Sequence, residues 1–397
     1  MDAVSFSHPP ARLAGAAAPS GSNGGSEAFF RDATLSPDGS CVLAAAEDRS
    51  LSLFPLPSDG FSSPSLVPSW THQPSNSLLS TAWYPGASLH DPAMFAFAAA
   101  VKELPIHLLD GNDRRVRASY PIVDHVERFV APHSMLFSLD GSSLYCGFDN
   151  AIEIFDVSVP GAAGFRLNTS KTRSSRDGQK GIVSSLASSY SNSSHFLAAG
   201  TFSGSIGLYD PSSPTPLFDL LYPSQRGGVT KLAFNPASPH LLFAASRQAS
   251  YLDVWDLRNT TQPVSQGKLR RQGRTNQRLG FSIDPTGTWL AAGDQNGNLS
   301  IFSAQPLPDQ LEPVATFSLS SEPLGATLFH PSLPLLITGS GTRHFRQPSR
   351  RRRGRTDDSG DDSSSSGSDL EADVDAETTV AEGEEPDQPS LEVWETN

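Results

Sequence analysis

Three clusters of cationic side chains are the residues in this sequence best suited to chemistry. Lys and Arg at high density bind phosphate groups by releasing counterions, and Arg also stacks on exposed bases. The densest cluster spans residues 258–278, which include no acidic residue. The pattern indicates a surface for RNA or another polyanion; the alternative is that these side chains only keep outer strands soluble. The clusters are Arg114, Arg115 and Arg117; Arg166, Lys171, Arg173, Arg176 and Lys180; and Arg258, Lys268, Arg270, Arg271, Arg274 and Arg278.

Two side-chain amides lie inside the third cluster. Asn276 and Gln277 directly precede Arg278, and amides can form hydrogen bonds with the edges of bases. An unpaired RNA loop leaves its base edges open to such contacts. We therefore predict the capture of a single-stranded loop, with Arg258 and Arg278 on phosphates or stacked bases and the two amides on base edges.

No other kind of chemistry is indicated. Two cysteines and ten scattered histidines show no paired metal-ligand spacing, and no phosphate-binding glycine loop or Gly-x-Ser-x-Gly elbow opens a predicted helix. For His133 and His330, beside predicted strands, a structural role is favoured. We expect no enzyme activity, cofactor, metal or small-molecule substrate. Cys41 and Cys146 lie in different repeats, which argues against a disulfide framework and for a reducing intracellular compartment.

The elements that must position these clusters form a sevenfold repeat. Each copy ends in an aliphatic residue, any residue, a second aliphatic and usually an aromatic. The seven copies are residues 51–54, 106–109, 152–155, 206–209, 252–255, 299–302 and 391–394. Their ends are 46 to 55 residues apart, except for a last spacing of 92. Such a period with internal alternation is typical of propeller blades, so we predict an all-β, seven-bladed WD40 β-propeller, expected to be monomeric.

Upstream of each phrase, the sequence predicts a strand, a tight turn and a strand of small residues. The clearest turn is formed by residues 36–39, Ser-Pro-Asp-Gly. Proline fixes φ, aspartate bonds to the following backbone, and glycine tolerates a positive φ. The small-residue strands, such as residues 41–46 and 290–293, suit close packing near a propeller axis.

A charged insertion accounts for the long last spacing. Residues 335–339 form a good middle strand, and the pattern resumes only at residue 391. Between them lies an arginine-rich block, followed by residues 357–387, which hold 13 Asp and Glu and no Lys or Arg. The net charge of −13 therefore belongs to this run. We predict a disordered insertion inside the seventh blade; the alternative is a disordered tail over residues 346–397, with Trp394 a chance match.

The insertion also carries candidate regulatory residues. Ser359 and Ser368, each followed by acidic residues, are candidate phosphorylation sites. The arginine block is a candidate nuclear import signal, or else a solvated loop that the acidic run partly neutralises. Its members are Arg350, Arg351, Arg352, Arg353 and Arg355.

Three segments follow from these patterns. Residues 1–28 are expected to be a flexible leader, residues 29–345 with 390–397 the propeller, and residues 346–389 the insertion. The leader lacks the charged-then-apolar pattern of a signal peptide, and no apolar run approaches 18 residues, so no membrane association is expected.

Specific phrases resemble the telomerase Cajal body WD-repeat protein family. The most specific are Thr-Asn-Gln-Arg at residues 275–278 and His-Pro-Ser-Leu-Pro-Leu-Leu at residues 330–336. Residues 137–148, 227–230, 255–258 and 284–287 fit the same pattern in order, and the resemblance runs from Phe29 to Trp394. The family also carries an acidic insertion before its last strand.

The resemblance implies a nuclear RNA-binding propeller. Members of the family bind box H/ACA small Cajal body RNAs and telomerase RNA, direct them to Cajal bodies and contact proteins of these ribonucleoproteins. The residues it marks as RNA-binding are Arg226, Arg258, Thr275, Asn276, Gln277 and Arg278, to which the cationic cluster adds Arg274. We therefore expect a non-catalytic scaffold of small nuclear ribonucleoproteins; the alternative is a protein-only WD40 scaffold in a nuclear complex such as a spliceosomal assembly.

Overall fold

The chain folds into a ring of seven β-sheets. The computed structural model describes residues 6, 8–18, 29–57, 60–170, 177–189, 196–210, 217–269, 277–342 and 390–396, and these residues include no helix. The strands are β1 (Ala11–Ala17), β2 (Phe30–Leu35), β3 (Cys41–Ala46), β4 (Leu51–Pro55), β5 (Trp70–His72), β6 (Leu78–Trp83), β7 (Ala96–Val101), β8 (Ile106–Asp110), β9 (Val116–Tyr120), β10 (Ser134–Phe137), β11 (Ser143–Phe148), β12 (Ala151–Asp156), β13 (Phe165–Asn168), β14 (Val183–Ser188), β15 (Leu197–Thr201), β16 (Ile206–Tyr209), β17 (Leu217–Leu221), β18 (Val229–Phe234), β19 (Leu241–Ser246), β20 (Tyr251–Asp256), β21 (Ser265–Lys268), β22 (Phe281–Ile283), β23 (Trp289–Gly293), β24 (Asn298–Ser303), β25 (Gln310–Leu311), β26 (Pro313–Ser318), β27 (Leu324–Phe329), β28 (Leu335–Ser340) and β29 (Ser390–Glu395).

Each sheet is one blade of a β-propeller, which confirms the predicted fold class. Blades 1 to 4 are the antiparallel sheets β2–β5, β6–β9, β10–β13 and β14–β17. Blade 5 is β18–β21 with β25 added in parallel at its outer edge, and blade 6 is β22, β23, β24 and β26. Blade 7 has the order β27, β28, β29, β1. The repeated phrase forms the third strand of every blade, and the small-residue strand forms the second.

The two ends of the chain close the ring within blade 7. Strand β29 pairs with β28 on one side and with β1 on the other. Trp394 on β29 is buried beside Phe6 and donates from Nε1 to Thr338 Oγ1 at 2.8 Å. The last residues therefore form a blade strand rather than a tail. Residues 341–389 lie between two adjacent strands of one sheet, as predicted for the insertion, but residues 346–389 themselves lie outside the described residues.

Strand β1 corrects the expected flexible leader over residues 1–28. Ala14 and Ala16 on this strand are buried in the core between blades 7 and 1. Without β1, the strand that carries Leu391 and Val393 would be an exposed edge, and unpaired edges favour non-native pairing. The small residues that suggested a flexible leader are the ones that fit this narrow space.

The hydrophobic core is divided among the blade interfaces. Each described cluster of buried apolar side chains joins two neighbouring blades, such as Leu252 and Val254 of blade 5 with Phe281 and Leu290 of blade 6. A single sheet cannot bury both of its faces, so the blades become stable only when stacked.

The predicted turns lock adjacent blades together. Gly39 ends the turn of residues 36–39 with a φ of 77°, and its N–H bonds to Ser36 O at 2.9 Å. His330 of blade 7 accepts at Nδ1 from the N–H groups of Ser332 and Leu333, at 3.1 and 2.9 Å. Its Nε2–H therefore donates to Gly39 O of blade 1, at 3.1 Å. This geometry gives His330 a structural role.

Candidate nucleic-acid interface

One end of the propeller gathers cationic residues from several blades. The innermost strands β2, β6, β10, β14, β18, β22 and β27 begin at this end, and the antiparallel meander brings the loops between second and third strands there as well. In blade 5, for example, Val229 at the start of β18 pairs with Ser246 at the end of β19. We call this end of the ring the mouth.

Five half-buried residues at the mouth form what we call the mouth cluster. Two lie on inner strands, two lie just before inner strands, and one lies in the loop after β19. They belong to blades 1, 3, 5 and 6. The members of the mouth cluster are Arg31, His133, Lys231, Arg247 and Arg278.

The ring of Phe202, in the loop after β15, is the centre of this cluster. The guanidinium carbons of Arg247 and Arg278 lie 5.3 and 5.1 Å from its centroid. His133 meets the same ring edge-on, with centroids 6.2 Å apart. Arginine is attracted to the negative face of an aromatic ring. One phenyl ring thus holds two like charges close together.

Burial and mutual repulsion both act on these cations. Burial lowers the pKa of Arg278; Asp32 opposes this effect, whereas Arg31 and Arg247 reinforce it. Burial also lowers the pKa of Lys231, again opposed by Asp32. A group whose charged form is disfavoured in this way gains stability when an anion approaches.

The exposed Asp32 acts electrostatically on three cations of the mouth cluster but pairs with none of them. Among the residues that the structure describes, neither Lys231, Arg247 nor Arg278 forms an ion pair. Arg247 Nε is buried without a hydrogen-bond partner. Arg31 is held differently, because its guanidinium donates to the carbonyl of Leu78 in the next blade.

Irregular backbone positions these side chains. The pairing of β2 with β3 shifts between Phe30 and Asp32, which leaves Arg31 as a bulge residue. The pairing of β18 with β19 shifts in the same way just before Lys231. Bulges redirect side chains at the rims of sheets, so the same irregularity delivers a cation to the mouth from two blades.

Gly227 and Gly228 allow the loops that carry Arg247 and Phe202 to approach each other. A Cβ on Gly227 would collide with the carbonyl of Arg247, and one on Gly228 would lie 2.7 Å from the carbonyl of Phe202. The Arg247 N–H also bonds to Gly228 O, at 2.7 Å. The glycine pair is therefore part of the frame of the mouth cluster.

Comparison with known proteins identifies the family. The chain is similar to telomerase Cajal body protein 1 of Mus musculus, with 34% identity over 333 residues, 82% of this chain and 61% of the relative. It is 33% identical to the Homo sapiens protein of that name over 331 residues, 81% of this chain and 59% of the relative. The propeller belongs to the telomerase Cajal body WD-repeat family. The chain spans about three fifths of the length of these relatives.

The family match extends to a relative with a different name. Guanine nucleotide-binding protein negative regulator 1 of Schizosaccharomyces pombe is 28% identical over 305 residues, covering 74% of this chain and 75% of the relative. No family model matches the chain. Among the described residues, no helix has the length and apolar character needed to cross a membrane.

The structure separates the residues that the family resemblance marks as RNA-binding. Arg278 lies in the mouth cluster, and the exposed Arg226 lies on the loop that leads to Gly227. Arg258 lies at the opposite end of blade 5, beyond β20, a strand of 6 residues that is about 20 Å long. There it forms an ion pair with Asp256 at 2.6 Å. Arg274, Thr275 and Asn276 lie outside the described residues.

Gln277 has a structural contact in addition to its predicted role. Its Nε2 donates to the carbonyl of Gly341 in blade 7 at 2.8 Å. This bond anchors the segment that leads to Arg278 against the next blade. The contact of Gln277 with a base edge stays a prediction.

Of the described members of the other two clusters, those numbered 114, 115, 117 and 166 lie on outer strands or their turns, whereas Lys180 lies just before the inner strand β14, at the mouth. Arg117 contacts Asp110 at 2.6 Å, and Arg166 contacts Glu153 at 2.6 Å. The guanidinium of Arg114 lies 5.6 Å from the centre of Trp70. Lys171, Arg173 and Arg176 lie outside the described residues.

Sequence reasoning missed five residues of the site, one of which is His133, for which only a structural role was favoured. Arg31, Phe202, Lys231 and Arg247 are far apart in sequence and belong to none of the three clusters. A signal was present in the repeats, however. Phe202 and Arg247 each come directly after the small-residue second strand of their blade, so an alignment of the blades at that strand would have placed them at the same end.

Proposed function

We propose that this chain is a non-catalytic, RNA-binding scaffold of small nuclear ribonucleoproteins, of the kind that carry box H/ACA RNAs. The observation that supports this proposal is the un-neutralised mouth cluster around Phe202. Clustered cations bind the phosphates of RNA, and arginines on an aromatic ring form a surface on which an unpaired base can stack.

The names of the relatives suggest which class of ribonucleoprotein particle this chain joins. They refer to telomerase and to the Cajal body, which favours a nuclear location and an RNA partner for this chain too. The arginine block from Arg350 to Arg355 remains a candidate import signal, and Ser359 and Ser368 remain candidate phosphorylation sites. Proteins of the ribonucleoprotein particle are the expected protein partners.

Crosslinking followed by sequencing of the bound RNA tests this function. The full chain is compared with a mouth variant, Arg247→Gln with Arg278→Gln, and with a matched control, Arg12→Gln with Arg128→Gln. The control removes two guanidiniums that are exposed and paired with Glu392 and Asp124. We expect small nuclear RNA to be enriched with the wild type and the control, and to fall roughly tenfold with the mouth variant.

Two outcomes would contradict the proposal. An intact wild-type protein that enriches no small nuclear RNA would remove the RNA-binding function. Recovery of protein partners that is unchanged by RNase and by the mouth variant, without any RNA, would instead favour the protein-only scaffold.

A further inference from the structure

The mouth cluster concentrates positive charge that no ion pair among the described residues compensates. Asp32, the carboxylate that acts on Arg31, Lys231 and Arg278, is exposed and forms no ion pair with them among the described residues. Holding like charges together in a partly buried place is unfavourable. Unfavourable arrangements of charge such as this one are expected at functional sites.

Particular donors are left over for a ligand. Arg247 Nε has no hydrogen-bond partner although it is buried, and such groups are rare enough to need an explanation. Lys231 Nζ lies 5.9 Å from the centre of Phe281, a contact that attracts its charge without using its three N–H donors. It also lies 4.0 Å from the position of a Cβ on Gly280, which places it beside the segment that follows Arg278.

We propose that Lys231, Arg247 and Arg278 form a binding site for one phosphate group at the mouth, next to Phe202. Guanidinium groups bond to two phosphate oxygens at once, and an ammonium adds a compact point charge. The guanidinium of Arg31 stays bonded to the carbonyl of Leu78 and adds to the positive potential at the site. The site rests on the proposed RNA function for its natural source, an internucleotide phosphate; a terminal or free phosphate shares the same chemistry.

Titration of the full chain with inorganic phosphate tests the site directly. Calorimetry at constant ionic strength is expected to show saturable binding with one phosphate per chain. Lys231→Met with Arg247→Met is expected to lower the affinity at least roughly tenfold, whereas Arg12→Gln with Arg128→Gln leaves it unchanged. Equal affinity in the two double variants, or no saturable binding by the wild type, would overturn the proposal.

A second pair of variants covers the case in which the methionine variant fails to fold. Arg247→Lys keeps a charge at the loop position but loses the planar guanidinium, so its affinity for phosphate should lie between that of the wild type and that of the single variant Arg247→Met. Because Arg247 lies in a loop, both are expected to keep the wild-type circular dichroism spectrum. The same affinity for both would contradict a role for the charge.

Octauridylate with a 5′-hydroxyl or a 5′-phosphate distinguishes the two sources of the phosphate. Equal affinities indicate an internucleotide phosphate, and tight binding of the phosphorylated form alone indicates a terminal one; both support the site if Lys231→Met with Arg247→Met loses the binding. Wild-type RNA affinity in that variant would remove the site and leave the RNA function standing. Binding of inorganic phosphate without any RNA binding would leave the site and remove the proposed function.

Discussion

The arginines on the outer strands and those at the mouth differ in what compensates their charge. On the outer strands, Arg117 and Arg166 each contact a carboxylate at 2.6 Å. Those carboxylates, Asp110 and Glu153, are only 4% exposed. A buried carboxylate without a partner is strongly destabilising, so the fold itself requires these two guanidiniums.

At the mouth, the partner of the arginines is an aromatic ring instead. Phe202 attracts Arg247 and Arg278 without cancelling their charge. The comparison teaches that the density of cations along a sequence is a poor guide to the charge available to a ligand. The burial of the nearest carboxylate is the better guide. An arginine paired with a buried carboxylate stabilises the fold, whereas an arginine without such a partner can bind a ligand.

Placing a carboxylate at the mouth should abolish the difference between the two regions. Phe202→Glu puts an acid between Arg247 and Arg278, so that these arginines become paired like the outer ones. We expect RNA affinity to fall roughly 10- to 100-fold, measured by fluorescence anisotropy. Phe202→Leu, which is neutral, should lose less affinity, and a similar loss for the two variants would show that stacking rather than charge governs binding.

Removing an outer arginine should affect stability and not RNA. Arg117→Ala removes the nearer guanidinium of the buried Asp110 and leaves only the longer contact with Arg115, at 3.5 Å. We expect a loss of about 2 kcal/mol in the free energy of unfolding. Arg278→Gln relieves repulsion at the mouth and should cost much less. Urea denaturation of both variants measures this contrast, which would be refuted if Arg278→Gln were the more destabilising change.

The pKa of His133 reports the potential at the mouth. Burial and Arg278 lower it below the ordinary value of 6.5, while Asp149 opposes them. In Arg278→Gln we expect this pKa to rise in an NMR titration, while that of His107, lowered by burial alone, stays constant. An unchanged pKa of His133 would mean that Arg278 does not set the electrostatic potential at the mouth.

The lowered pKa of His133 also determines the direction in which the folding stability changes with pH. Below pH 6.5 His133 is protonated in the unfolded chain, whereas in the folded chain its lower pKa keeps it neutral. Stability therefore falls as the pH is lowered through this range. The fall should be shallower in Arg278→Gln.

The repeats predicted most of the fold because each blade obeys local rules. The phrase at residues 252–255 became the third strand of its blade, the small-residue segment Cys41–Ala46 became a second strand, and Gly39 ended its turn with a positive φ. Strand β1 escaped prediction because its partner, β29, lies at the far end of the chain. Composition alone cannot distinguish a flexible Ala- and Gly-rich segment from one that fits a narrow interface.

The site was predicted only in part. Arg278 was named from its motif, but Arg258, grouped with it by sequence proximity, lies at the other end of blade 5 and is paired with Asp256. Residues that are close in sequence can lie at opposite ends of a blade when a strand separates them. Closure of the ring, in contrast, brings residues from distant parts of the sequence together.

The sequence by itself determined the number of blades, their strands and turns, and the location of the charged insertion, because these depend on alternation and turn chemistry within about 50 residues. Only the tertiary structure decided which cations share a surface. Arg31, Lys231, Arg247 and Arg278 meet because the inner strands of a closed ring all begin at one end, and among the described residues no carboxylate forms an ion pair with them.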